Sequence, residues 1–169
     1  MPTWCPPVAE GSLPVVPRVG LGFDVHAWGD DRPLWLGGVQ IVHDRGLAGH
    51  SDGDVVCHAV ADALLGAVAL GDVGEHFPDT DPSMAGITGA TLLARTVVLL
   101  AQAGATPVSV DITVVCDHPP IEPHRPAMRQ QLAAALGVSV ARVSVKATRP
   151  EGLGLSGDGV GCLAVAVVT

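Results

Sequence analysis

The chain has 169 residues, of which 48% are hydrophobic and only 3% aromatic, and it carries a formal net charge of −8. This length suits one well-buried domain, whose core must be built from many small contacts between Ala, Val and Leu side chains. The acidic balance excludes a general nucleic-acid binder, because such binding depends on neutralising phosphates with Lys and Arg. An anionic substrate would therefore need a metal ion.

The cysteines and the first residues bear on compartment and domain organisation. The cysteines are scattered, without a CxxC pair, at Cys5, Cys57, Cys116 and Cys162. This pattern favours reduced thiols in a cytoplasmic protein, each of them an ordinary small apolar residue. No apolar run is long and unbroken enough to span a bilayer. Residues 1–17 contain five prolines, and we expect a flexible N-terminal extension there and one domain over 18–169.

In the first half of the chain, alternating Val19, Leu21 and Phe23 predict a strand over 18–26. Residues 34–42, with two glycines in the middle, predict a short hairpin-like excursion. Ser51 followed by Asp54 resembles a capping box, which predicts a helix from there to about residue 70. A polar loop over 71–86 follows.

In the second half, the pattern predicts a helix over 89–103 and an alternating strand over 108–116. A third helix is predicted with Pro126 in its first turn and Gly137 just past its end. Strands over 143–148 and 162–168 are separated by a glycine-rich loop, 152–161. This order predicts an α/β fold in which helices pack on a single sheet as a two-layer sandwich.

Asp24 and His26 lie two residues apart on the first predicted strand, so both side chains leave the same face. One histidine from the following helix would complete an Asp/His/His set and leave a fourth tetrahedral position open, as in catalytic zinc sites. His58 is the better third ligand because it lies within the helix. His50 precedes the cap, where an imidazole can meet a substrate. Local spacing leaves open that these are ordinary surface histidines.

Two further features suit phosphate or a hard cation. The predicted helix N-terminus at 51–54 would offer backbone N–H groups and a positive dipole end, although a plain capped helix is the alternative. The loop 72–81 and the turn 146–151 carry carboxylates suited to magnesium, although solvated loop charge is the commoner explanation for such residues.

A resemblance to a known family rests on segments that span 18–169. They are GFDVH, AGHSDGDVVCHAVADALLGA, GDVGEHFPDTDP, VDITVV, and VKAT with a downstream GLGLSGDG. In this order and near this spacing they resemble the 2-C-methyl-D-erythritol 2,4-cyclodiphosphate synthase family, phosphorus–oxygen lyases of the non-mevalonate isoprenoid pathway. The resemblance implies that Asp24, His26 and His58 bind zinc, the first two lying beside the substrate. It also implies that His50, as a catalytic transition-state stabiliser, contacts the substrate diphosphate together with Ser51.

The resemblance assigns further residues to the substrate. Thr148 and Glu151 would contact the substrate, and Glu151 would also bind a magnesium or manganese ion that bridges the two phosphates. The methylerythritol phosphate would be held by Asp72, Val73, Gly74, Phe77, Pro78, Asp79, Thr80 and Asp81. In the implied reaction the 2-phosphate of 4-diphosphocytidyl-2-C-methyl-D-erythritol 2-phosphate attacks the β-phosphorus of its own CDP group. CMP leaves and a cyclic diphosphate forms.

The resemblance also implies a homotrimer with each site at a subunit boundary, where one protomer supplies metal ligands and its neighbour the cytidine pocket. The cytidine side departs from the family pattern. The segment 116–120 reads CDHPP, without the usual lysine. Arg149 occupies the position of a threonine that in the family is the second residue to stabilise the transition state. Arg149 would make a charge-assisted contact to phosphate, or it is a surface arginine on a turn broken by Pro150. Asp158 and Val160 replace an expected arginine and glutamate, so we do not expect an isoprenoid diphosphate in the trimer cavity.

Two alternative functions stay open. A paralogue with the same fold and metal ligands would act on another CDP-linked or diphosphate substrate, because the departures fall on the nucleotide side. A catalytically silent trimer would serve as a binding protein. The joint presence of Asp24, His26, His50, His58 and Glu151 argues against a silent protein, which has no chemical reason to keep them together.

Overall fold

The structure, a computed structural model, describes residues 16–78, 80–154 and 158–169. Cys5, Asp79, most of the predicted extension 1–17 and part of the glycine-rich loop lie outside the described residues. The elements are β1 (Arg18–Gly29), β2 (Leu34–Leu36), β3 (Val39–Ile41), β4 (Gly46–Leu47), α1 (Val55–Ala67), α2 (Val73–His76), α3 (Gly89–Gln102), β5 (Pro107–Val115), α4 (Arg125–Leu136), β6 (Val143–Thr148) and β7 (Gly159–Val168).

Five strands form the main sheet in the order β4-β1-β7-β5-β6. The pairings are antiparallel except for β5 with β6, which run parallel and are connected through α4. This confirms the predicted α/β arrangement of a central sheet with helices. It also adds a detail, since β2 and β3 pair as a separate two-stranded sheet instead of joining the main one.

Helix α1 lies directly against β1 because two glycines of the strand leave room for it. A Cβ atom added at Gly20 would lie 1.9 Å from the carbonyl oxygen of Ala63, and one at Gly22 would lie 2.0 Å from that of Ala59. Ala59 and Ala63 are fully buried in this contact. The small residues on both elements thus set the separation between the strand that carries Asp24 and the helix that carries His58.

The predicted start of α1 is wrong by three residues, because its cap is Asp54 and not Ser51. Gly53 has a φ of +74°, so the chain turns there before the helix can begin. The buried Asp54 carboxylate accepts hydrogen bonds from the backbone N–H groups of Val56 and Cys57. The helix ends at Ala67, somewhat before the predicted residue 70.

The remaining predicted elements are found close to their predicted positions. The polar loop 71–86 contains the short helix α2, capped by Asp72, and a 3-10 turn, Pro82–Met84, capped by Asp81. Gly137 ends α4 in a left-handed conformation, with a φ of +68°. Across the described residues, no helix has the length and apolar character needed to cross a membrane.

The outer face of the sheet, opposite α1, is apolar along β1. Val19, Leu21, Phe23 and Val25 point away from the helix and are 64%, 66%, 47% and 46% exposed. In the neighbouring strand β7, Val165 pairs with Leu21 and is also exposed. We refer to these five residues as the outer apolar face. Exposed apolar side chains in such continuity are typical of a surface that another molecule covers.

Candidate metal centre and substrate pocket

Three side chains from β1 and α1 converge at one point. The Asp24 Oδ2 atom lies 2.9 Å from His26 Nε2 and 3.1 Å from His58 Nδ1. The two imidazole nitrogens lie 3.3 Å apart. Strand alternation brings Asp24 and His26 to the helix side of β1, and the close packing of α1 brings His58 to meet them. These residues, each partly buried, form a group that could hold a metal ion.

The other ring nitrogen of each histidine also has a partner. His26 Nδ1 lies 2.5 Å from the carbonyl oxygen of Ala48. Donation of the Nδ1 proton to that carbonyl leaves Nε2 with its lone pair toward the cluster. The Ser51 Oγ atom lies 3.2 Å from His58 Nε2. Both imidazoles are therefore oriented by groups on the segment between β4 and α1, as is usual for metal-binding histidines.

The charges in the cluster depend on each other. Burial acts to raise the pKa of the Asp24 carboxyl, but hydrogen bonds from His26 and His58 outweigh it and hold that pKa well below its ordinary value. The hydrogen bond that protonated His26 donates to the Asp24 carboxylate raises the pKa of His26 above its ordinary value, against the opposing effect of burial. An anionic carboxylate that binds two imidazoles attracts a cation at the same point.

A pocket of about 340 Å³ opens beside the cluster. Its polar lining includes His26, His50, Ser51 and His58. The predicted substrate-binding residues Val73, Gly74, Phe77 and Pro78 form another part of the wall, together with Met84, Ile87 and Leu92. The structure thus brings His50 and Ser51 next to the candidate metal ligands, and it adds an apolar wall that local motifs did not indicate.

Two aspartates of the predicted set have carboxylates that serve as helix caps. The Asp72 carboxylate accepts from the N–H group of Glu75, and the Asp81 carboxylate accepts from that of Ser83. Thr80 is exposed. Their proposed contacts with a substrate stay predictions.

The predicted anion site at the N-terminus of α1 is not supported by the structure. The first N–H groups of α1 already bind the Asp54 carboxylate, whose other oxygen accepts from the N–H group of Gly38. Gly37 donates to the same carboxylate. A buried carboxylate at this position supplies the negative charge that the helix dipole favours, so these N–H groups are not free to bind a phosphate.

A second pocket, of about 360 Å³, brings together the two segments in which the sequence departs from the pattern of the family that it resembles. It is lined by residues 116–122, Arg125, Ala147, Thr148 and Arg149. Glu151 follows in an exposed turn, with a φ of +50°. The Nε atom of Arg125 is buried and has no hydrogen-bond partner among the described residues. Sequence reasoning missed Arg125, because it stands one residue before a proline in an ordinary helix start.

The three described cysteines carry free thiols buried in the protein. Burial raises the pKa of Cys116 to about 11 and raises that of Cys57 well above its ordinary value. A thiol that resists ionisation is a poor nucleophile. This agrees with the prediction that these cysteines are ordinary small apolar residues.

One carboxylate and two imidazoles at a single point, beside a pocket lined by further polar groups, define an α/β protein with a candidate metal centre of the three-ligand kind used in catalysis. Comparison with known proteins gives the particular family. The model of the YgbB family matches residues 17–169. The chain therefore belongs to the YgbB family.

Named relatives are similar over most of this chain. The 2-C-methyl-D-erythritol 2,4-cyclodiphosphate synthase of Symbiobacterium thermophilum is 53% identical over 152 residues, which cover 89% of this chain and 97% of the relative. The bifunctional enzyme IspD/IspF of Novosphingobium aromaticivorans is 50% identical over 167 residues, which cover 99% of this chain and 43% of the relative. The chain thus spans less than half the length of such bifunctional relatives.

A solved structure has the same fold. The structure of 2C-methyl-D-erythritol-2,4-cyclodiphosphate synthase in a form bound to CDP matches with a TM-score of 0.83 and 36% sequence identity. The match covers 90% of this chain and 100% of that one.

Proposed function

We propose that this chain catalyses the cyclisation of 4-diphosphocytidyl-2-C-methyl-D-erythritol 2-phosphate to 2-C-methyl-D-erythritol 2,4-cyclodiphosphate, with release of CMP. The observation that carries the proposal is the Asp24, His26 and His58 cluster, which opens on a pocket that also contains His50 and Ser51. A relative matched over 89% of this chain is named a 2-C-methyl-D-erythritol 2,4-cyclodiphosphate synthase, which supports the choice of reaction. The CDP bound to a structural neighbour supports the choice of ligand.

We assign zinc to the cluster. One carboxylate oxygen and two imidazole nitrogens are donors that zinc prefers, and ligands about 2.1 Å from tetrahedral zinc lie about 3.4 Å from one another. The observed separations of 2.9–3.3 Å are somewhat shorter than that spacing, so the three ligands need to move apart only slightly to admit the ion. We assign a second ion, magnesium or manganese, to Glu151 and the substrate phosphates, because hard cations prefer oxygen ligands. When bound, the two ions neutralise phosphate charge and stabilise the leaving oxygen.

The reaction moves a phosphoryl group within one substrate molecule. A bond forms between an oxygen of the 2-phosphate and the β-phosphorus, the bond from the β-phosphorus to the bridging oxygen breaks, and its electron pair leaves on CMP. In this proposal His50 and Ser51 contact the diphosphate and Arg149 binds a phosphate oxygen. Residues 72–74 and 77–81 orient the methylerythritol phosphate for in-line attack. No side chain acts as a nucleophile.

We further propose that the chain assembles as a homotrimer in which the second pocket of a neighbour completes each site. The outer apolar face supports assembly, since its five side chains would otherwise expose apolar surface to water. The separate linings of the two pockets support a shared site, because one holds the metal cluster and the other the predicted cytidine segment. The cytoplasmic location stays a prediction from the cysteine pattern.

The second pocket keeps one alternative in view, a paralogue acting on another CDP-linked substrate. Arg125 and Arg149 line this pocket, and Pro120 stands where the family usually has lysine. Guanidinium groups bind phosphate in a flat, two-pronged geometry that an ammonium cannot reproduce. A substrate with different phosphate positions would fit such a change.

The test is an assay of the full chain with zinc, magnesium and the standard substrate. We expect one CMP released for each cyclic product, both followed by chromatography, and no CMP from protein stripped with a chelator. Bound zinc without CMP release would favour the paralogue. A protein that binds no zinc and releases no CMP would favour a silent binding protein.

A further inference from the structure

The segment between β4 and α1 carries His50 and Ser51, and each backbone carbonyl from 48 to 51 has a hydrogen-bond partner. The Ala48 oxygen is held by His26, and the His50 oxygen accepts from the N–H group of Gly86 at 3.0 Å. The remaining two carbonyls, of Gly49 and Ser51, are bound by a single side chain. We call residues 48–51 the carbonyl segment.

That side chain is Arg32, in the turn between β1 and β2. Its Nη1 atom donates to the Gly49 oxygen and its Nη2 atom to the Ser51 oxygen, each at 2.5 Å. One guanidinium therefore holds the carbonyls on both sides of His50. These contacts join residues 17 and 19 positions apart in the chain.

The backbone of Arg32 is itself held close to β4. A Cβ atom added at Gly46 would lie 2.4 Å from the carbonyl oxygen of Pro33 and 2.7 Å from that of Arg32. The pairing of Gly29 with Gly46 brings the two segments together. The Arg32 side chain thus begins from a fixed position beside the strand that leads into the carbonyl segment.

We propose that Arg32 is a positioning residue, which fixes His50 and Ser51 toward the pocket by holding the peptide groups on either side of them. The expected effect of Arg32 on kcat rests on the proposed function, whereas its effect on the carbonyl segment does not. Arg32 acts through the segment and not on the substrate, because both of its contacts are with backbone oxygens. The Ser51 hydroxyl contacts His58 Nε2, whereas Arg32 contacts only the Ser51 carbonyl.

Arginine is the side chain that this arrangement requires. Its planar fork donates to two separate acceptors at once, whereas a lysine ammonium is a single point charge on a flexible stem. Lysine at this position would therefore retain the charge but hold one carbonyl at a time. The conservative variant Arg32→Lys separates charge from geometry.

The experiment compares Arg32→Met, Arg32→Lys and Arg45→Met, each as the full chain. Arg45 is the matched control, because it lies over the Trp28 ring, 5.2 Å from the ring centroid, and not in the pocket. We expect Arg32→Met to lower kcat about 10- to 100-fold, since small misplacements of catalytic groups have effects of that size. KM should change less than about threefold, and Arg32→Lys should give an intermediate kcat. Arg45→Met should retain the wild-type rate.

Two readouts separate positioning from general destabilisation. Hydrogen exchange should become faster in a peptide covering 48–53 in Arg32→Met, while α1 stays as protected as in the wild type. In the His50→Ala background, Arg32→Met should cause little further loss of kcat, because the two changes act on one group. Zinc content should remain at the wild-type level.

Several outcomes would overturn the proposal. They are equal kcat for Arg32→Met and Arg45→Met, full additivity with His50→Ala, unchanged exchange over 48–53, or loss of zinc in Arg32→Met. If the wild-type chain releases no CMP, the proposed function fails. The exchange comparison then still decides whether Arg32 holds the carbonyl segment.

Discussion

The substitution Gly22→Ala tests whether close packing of β1 and α1 sets the geometry of the metal cluster. The added Cβ atom would lie 2.0 Å from the carbonyl oxygen of Ala59 and 2.7 Å from the backbone nitrogen of Ala63. Both neighbours are backbone atoms, so the strand and helix must separate by at least about 1 Å to restore ordinary contact. Metal–ligand distances tolerate changes of about 0.2 Å, so this separation would take His58 away from Asp24.

We expect two measurable consequences of Gly22→Ala. Without metal, the free energy of unfolding should fall by about 1–3 kcal/mol, the usual effect of overfilling a packed core. Zinc affinity, measured by competition with a chelator, should fall by at least about tenfold, because the three ligands no longer meet at one point. Zinc affinity is measured at a temperature where the variant retains the circular dichroism spectrum of the folded protein, and unfolding is started from that same state.

The matched control is Gly66→Ala, on the exposed side of α1. A Cβ atom there would have no heavy atom within 4 Å, and alanine favours helix over glycine by about 1 kcal/mol. The control should bind zinc as the wild type does and unfold at the same or a higher temperature. Wild-type zinc affinity in folded Gly22→Ala would refute the argument that glycine packing sets the ligand spacing.

Three further predictions concern the metal ligands, the assembly and the effect of pH. His58→Ala should abolish zinc binding, while His50→Ala should retain zinc and lower turnover; equal zinc loss in both would refute this division of roles. Leu21→Glu should reduce the molar mass measured by light scattering, because it places a charge in the outer apolar face, whereas Val42→Glu, at a fully exposed position outside that face, should not. The same mass for Leu21→Glu and wild type would contradict the proposed interface. The hydrogen bond that protonated His26 donates to Asp24 raises the pKa of His26 in the metal-free protein, so zinc must displace a proton from His26 once the pH falls below that raised pKa. Apparent zinc affinity should therefore decline as the pH is lowered from about 8 to 6, and a constant affinity over this range would contradict it. The stability of the metal-free fold should change with pH in the opposite direction. The free energy of unfolding contributed by protonated His26 is complete below the pKa of the unfolded state, about 6.5, and is lost as the pH rises through the higher pKa of the folded state.

The two-residue spacing of Asp24 and His26 was enough to predict that they share a face of β1. The position of His58 within a helix was enough to make it the third candidate. Sequence could not set the distance between strand and helix, because that distance depends on Gly20 and Gly22 meeting the backbone of α1. In the sequence, a glycine within a strand pattern shows only that no side chain is present there, and it does not show which element approaches the strand or how closely.

The start of α1 shows where local pattern is insufficient. Ser51 and Asp54 are both good N-cap residues, and three positions separate them, as in a capping box. The choice between them is made by Gly53, whose positive φ turns the chain, and by Gly37 and Gly38, which donate to the Asp54 carboxylate from another part of the fold. Those last contacts are between distant parts of the chain and leave no periodic signal.

Strand β1 has two faces with opposite chemistry, and this links the site to the proposed assembly. In most half-buried strands the larger apolar side chains face the helices. Here Gly20 and Gly22 face α1, while Leu21 and Phe23 face outward. The close contact of α1 that places His58 beside Asp24 therefore requires small residues inside, and the large apolar residues of the strand lie on the face that we propose another copy covers.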